Sequence, residues 1–194
     1  MKPSKISLLS LAMIALSITS FSQKIRVKDG DKNVLKNEST INIEFTFDNL
    51  AVGKFDKEQD YIDTKKAEYN KKEPGRGDTW AKRWKDDQEN KFPPDFKALF
   101  EKTSGMTISK DAKLTMIVHT VGIEPGFNVG VMRRNANIDV EVLIVETANK
   151  DKVLLKLSVD NSPGRTFMGN DYDTGERISE AYAKAGKEVG KYLK

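Results

Sequence analysis

Of the residue types that do chemistry, histidine and cysteine are nearly absent from this chain, and the spacing of the rest limits what that chemistry is. His119 is the only histidine and there is no cysteine. That excludes a histidine-pair metal site, a thiolate nucleophile and any disulfide. His119 sits beside Thr120 in a run of β-formers, so it lacks the setting for a serine–histidine–aspartate arrangement. It stays a candidate general base, against the commoner reading of a half-exposed strand residue. Glu124, Asp171 and Asp173 lie near two Pro-Gly pairs, Pro125-Gly126 and Pro163-Gly164. Glu124 with Asp171 forms the candidate acid/base pair of a hydrolase acting on glycans or peptides. Asp171-Tyr172-Asp173 lacks the ligand count and glycine placement of a calcium loop. Arg133, Arg134 and Arg165 either converge on an anion or pair with these carboxylates on the surface. Gly122, Gly126 and Gly130 recur every four residues, which is not the dinucleotide fingerprint, and no helix follows them.

The same stretch carries Phe127, Val129, Val131 and Met132, four apolar side chains in one loop. They either fold back over a sheet edge or form a contact surface. The partner-facing set expected here is Glu124, Phe127, Met132, Arg133, Arg134, Arg165 and Phe167. No cofactor or metal is expected. Trp80 and Trp84 stand at i, i+4, placed to stack on sugar rings or to bury one helix face in a core. Arg76-Gly77-Asp78 matches an integrin-binding tripeptide, read as coincidence in a loop after Pro-Gly.

Three strands position these residues. Leu114–Val121 is nearly all β-formers, with Leu114, Met116 and Val118 on one face. Ala136, Ile138, Val140, Val142 and Ile144 alternate with polar residues, and Val153, Leu155, Leu157 and Val159 do the same. The polar stretch from Thr147 to Lys152 suits a hairpin. These antiparallel strands bring the 122–135 and 160–173 loops to one end, each turning at its Pro-Gly pair. Loops on a rigid sheet are where function concentrates.

Upstream, Ile41, Ile43, Phe45 and Phe47 share a strand face, and a short strand is expected around Ile25–Val27. Charged residues 54–72 suggest a helix with ragged apolar spacing. Asp78 or Thr79 is placed to cap a helix beginning near Trp80. Phe92, Phe96, Leu99 and Phe100 form the stripe of another, with Pro94 in its first turn. Asp173-Thr-Gly-Glu176 resembles a capping box for a last helix. Its core face is Ile178, Tyr182, Ala185, Val189 and Tyr192. A second stripe of Ser179, Ala183, Gly186 and Gly190 calls for a close approach, expected against the sheet. If the first connection is a right-handed crossover, the first strand lies parallel to a neighbour. Asp48 and Asn49 then share the end of the two loops.

The first 22 residues read as a signal peptide: Lys2 and Lys5, an apolar run from Ile6 to Ile18, then Ser20-Phe21-Ser22 as the cleavage site. Cleavage after Ser22 leaves Gln23 first, with 172 of the 194 residues. It also lowers the formal charge from +4 to +2. Such a balance, with no basic stripe carrying aromatics, argues against nucleic acid as a partner. An exported chain without disulfides fits a bacterial envelope, so the expected location is periplasmic or secreted. The organisation expected is residues 1–22 signal peptide, 23–39 a polar segment, and 40–194 one domain. Its fold is α+β, a mostly antiparallel four- to five-stranded sheet with helices on one face.

The run Ile123-Glu-Pro-Gly-Phe-Asn-Val-Gly-Val-Met132, then the alternating strand and the Ala181-Tyr-Ala-Lys-Ala-Gly186 helix, resembles uncharacterised secreted proteins of Gram-negative envelopes. The resemblance spans about residues 40–194. In element order the chain is similar to the small α+β domains of the N-terminal part of TolB and of CsgG-like envelope assembly lipoproteins. That likeness implies protein–protein assembly in the envelope and brings no catalytic residue. The acylated cysteine of the lipoprotein members is missing here, which leaves membrane association open. The function expected is a non-catalytic module binding an envelope protein through the paired loops. A hydrolase and a small-ligand carrier are the alternatives.

Overall fold

Alternating apolar residues and one long amphipathic helix build the molecule, whose computed structural model describes residues 23–129, 132–164 and 172–194. In chain order come β1 (Lys24–Gly30), β2 (Thr40–Thr46), β3 (Ala51–Val52), α1 (Glu58–Lys72) and α2 (Arg76–Asp86). A π-helical turn, Asp87–Lys91, leads into α3 (Phe92–Ser104) and then β4 (Thr107–Ile108). There follow β5 (Leu114–Glu124), β6 (Phe127–Val129), β7 (Met132–Arg134), β8 (Ala136–Glu146), β9 (Asn149–Gly164) and α4 (Gly175–Leu193).

The fold is α+β, but the sheet is larger and more mixed than expected. Among the described residues it has 7 strands in the order β1-β9-β8-β5-β2-β4, with β3 also on β5. β2 runs parallel to β4 and β5, and β3 parallel to β5. The strands beyond those expected, β3 and β4, are two residues each and left little trace in the sequence. β1, expected around Ile25–Val27, is an exposed, charged edge strand that blunts self-pairing. The segment 23–39 thus supplies a sheet strand and, at Leu35, a core residue. The parallel pairing of β2 with β5 carries Asp48 and Asn49 to the end where β5 finishes.

The β8–β9 turn needs only Thr147 and Ala148, so the connection is shorter than the polar run implied. β9 continues to Gly164, with Pro163 paired to Asn137 and Gly164 to Ala136. Pro163-Gly164 is therefore strand, not turn. The pairing register shifts between Ile144 and Val145, and Val153, expected inward, is 44% exposed.

Ile178, Tyr182, Ala185 and Val189 of α4 are fully buried with Met116, Val118, Val142, Leu157 and Val159 of the sheet. Tyr182 and Thr120 share a buried hydrogen bond of 2.6 Å between hydroxyls. The small-residue stripe of α4 does not face the sheet. A Cβ on Gly186 would overlap the Phe96 carbonyl, and one on Gly190 would meet Phe100 and Thr103. The close approach is helix on helix, α4 on α3, with Phe92 stacked on Tyr182 at 4.9 Å.

Two helix starts also differ from expectation. α2 begins at Arg76 after Gly75, whose φ of 82° provides the left-handed entry. Asp78 instead pairs with Lys66 at 2.7 Å and accepts from Asn70 at 3.0 Å, tying α2 to α1. Thr174 caps α4 without a side-chain bond, and Glu176 pairs with Lys91 of the π-helical turn.

Candidate functional site

The end of the sheet reached by β3, β5 and the last residues of β9 holds the described part of the expected partner-facing set. Glu124 closes β5, Pro125-Gly126 turns, and β6 pairs with β7 as a separate antiparallel ribbon. Phe127 lies opposite Arg134, and Asn128 opposite Arg133. Gly126 has φ 65°, and a Cβ there would overlap the Arg134 carbonyl, so the turn requires glycine. The Glu124 carboxylate fastens the base of the ribbon from both sides. It accepts from the Gly126 amide at 3.1 Å and from the Arg134 guanidinium at 2.9 Å.

Beneath the turn lies Arg177, only 2% exposed, whose Nε and Nη2 each donate to the Pro125 carbonyl at 3.4 Å. Residue typing gave no hint of this positioning residue. On α4 it heads a row with Ala181 and Ala185, both small and buried, which by itself points to no acceptor. What accepts its donors is set by tertiary structure.

Of the two readings of the apolar loop, the described side chains take the exposed one. Phe127 is 37% exposed and Met132 64%. Arg133 is exposed, and Arg134 keeps 64% of its side chain in solvent while paired with Glu124. Arg165, Phe167 and Asp171 lie outside the described residues, as do Gly130, Val131 and the side chain of Val129. Glu124, the described member of the candidate acid/base pair, serves as hydrogen-bond acceptor for the turn and its ribbon.

A groove of about 370 Å³ runs beside the ribbon, bordered by Phe55, Tyr61, Lys65, Glu124, Phe127 and Arg134. Burial raises the Tyr61 hydroxyl well above the ordinary phenol range, so it presents a neutral O–H. Both tryptophans are core: Trp80 and Trp84 are each 3% exposed and pack with Tyr61 at 5.6 and 5.1 Å. Glu58 gathers this lobe, accepting from Trp84 at 2.6 Å and from Gln88 and Lys85 at 2.5 Å each. Arg76-Gly77-Asp78 lies inside α2, with Gly77 buried and its amide on Asn70, so the tripeptide is not a displayed loop.

His119 lies on the sheet face turned away from α4, since its neighbour Thr120 faces Tyr182. Its Nδ1 and the Thr46 hydroxyl are 2.9 Å apart, and Glu141 is its cross-strand partner. Among the described residues no group of three or more histidine, aspartate and glutamate side chains is placed to hold a metal.

No family model matches the chain, and no curated protein matches it in sequence. Among solved structures it is similar to two PelC dodecamers of Paraburkholderia phytofirmans, the first a single-substitution variant, in different crystal forms. The likeness has TM-scores of 0.42 and 0.40 at 10% and 9% identity. It covers 89% and 87% of this chain and 97% of each PelC chain.

Proposed function

We propose that this chain is a non-catalytic module of the bacterial envelope that binds a protein partner through the β6–β7 ribbon. One observation carries the reading: Phe127 and Met132 stand exposed on a ribbon whose base is fastened by Glu124, Arg134 and Arg177. An apolar pair on a short free ribbon adds nothing to the core, and such side chains with arginine beside them are the usual anchors of protein interfaces. The turn at the ribbon's base is held by Glu124 and Arg177, so that end needs little ordering on binding. The basic, apolar and Ser20-Phe21-Ser22 regions of the leader support export, periplasmic or secreted. Arg165 and Phe167, outside the described residues, are expected members of the same surface.

The test is affinity capture from envelope extracts with wild type and with Phe127→Ser/Met132→Ser. A specific partner held by wild type and lost from a variant of unchanged melting temperature supports the proposal. A partner retained by the folded variant refutes it.

A further inference from the structure

We infer that Gln23 is a modification site, closing to pyroglutamate once the leader is removed. The inference rests on the proposed export and on cleavage after Ser22, which makes Gln23 the first residue. The α-amine of a terminal glutamine reaches its own side-chain carbonyl carbon. The new C–N bond forms a five-membered lactam, the bond to the amide nitrogen breaks, and ammonia leaves with the proton. No oxidant, reductant or co-substrate enters.

The setting favours the closed form. β1 is paired from its first residue, Lys24 with Asp160, so a single residue precedes the sheet. Gln23 sits by Ile25 in a recess against the last turns of α4, with Glu188, Lys191 and Tyr192. Its side-chain amide nitrogen is buried there. An open terminus would add a positive charge next to Lys24, on a strand that already carries Lys24, Arg26 and Lys28, whereas the lactam is neutral and smaller by one amino group. The ring also denies exopeptidases a free end on an exposed edge strand, where trimming would remove β1 pairs one at a time.

The experiment is intact-mass measurement and terminal-amine labelling of full-length protein made in envelope-bearing cells and analysed at once. Gln23→Ala, which cannot cyclise, is processed alongside. The expected product spans residues 23–194, one ammonia lighter than its sequence and refractory to labelling, while Gln23→Ala has full mass and labels. A 23–194 product of full mass with a labelled amine overturns the inference and leaves export standing. So does a lactam that appears only on storage. An envelope product beginning elsewhere overturns the inference and the cleavage position. An uncut chain retained inside the cell overturns export as well.

Discussion

The contact of α3 with α4 and the β6–β7 ribbon both carry aromatic and aliphatic side chains beside a required glycine, and they treat them in opposite ways. At the helix pair each side chain is consumed by a neighbour. Gly186 admits the Phe96 carbonyl, and Phe92, Phe96 and Phe100 are fully buried. At the ribbon, Phe127 and Met132 face solvent while the polar groups beneath them are tied down. Interiors packed at crystal-like density transmit any change in volume, whereas an exposed ribbon transmits almost none. Changes at the helix pair should therefore be read in stability, and changes at the ribbon in binding.

The largest effect is expected from Gly186→Val, which forces a branched side chain into the Phe96 backbone. A loss of about 3 kcal/mol, measured by urea unfolding, is expected. A variant as stable as wild type would show that the helices have room to separate. Next is Tyr182→Phe, which keeps the stacking on Phe92 and strands the buried Thr120 hydroxyl. Its cost should be about 1–3 kcal/mol, and Thr120→Val added to it should recover part of the loss.

Asp87 gives a pH-dependent effect. Half-burial raises its pKa above the usual carboxylate range, against the pull of Lys91. The native state thus holds this proton more tightly than the unfolded chain, and stability falls as pH rises through the raised pKa. Asp87→Asn should raise the melting temperature at neutral pH and leave it nearly unchanged where both states are protonated. A gain of equal size at both pH values would assign the effect to packing. Smallest in stability is Phe127→Ser/Met132→Ser, expected within about 0.5 kcal/mol of wild type. A loss of several times that figure would mean the ribbon is part of the core.

How much of this was readable depends on how local each interaction is. β8 and the inner half of β9 announce themselves, because alternation over Ala136–Ile144 and Leu155–Val159 is the direct imprint of one buried face. The glycines of α4 declared a close contact but not its partner, since sheet and helix make the same demand for a missing Cβ. α1 looked ragged because its buried Tyr61 and Tyr69 pack against Trp80 and Trp84 of α2 and not along a regular stripe. Pro163-Gly164 read as a turn because Pro-Gly usually is one, yet β9 continues through it. At the candidate site, Glu124, Phe127 and Arg134 were legible as one neighbourhood. Arg177 was not, because its acceptor lies 52 residues away in sequence.

The most direct test of the ribbon as a contact surface is photo-cross-linking in intact cells from two positions. One probe replaces Met132; the other replaces Val153, an exposed apolar residue at the far end of the sheet. A single envelope-protein adduct from position 132, weak from 153 and abolished by Phe127→Ser, is the expected result. Equal adducts from both positions, or an adduct from 132 that survives Phe127→Ser, would mean that the ribbon does not select the partner.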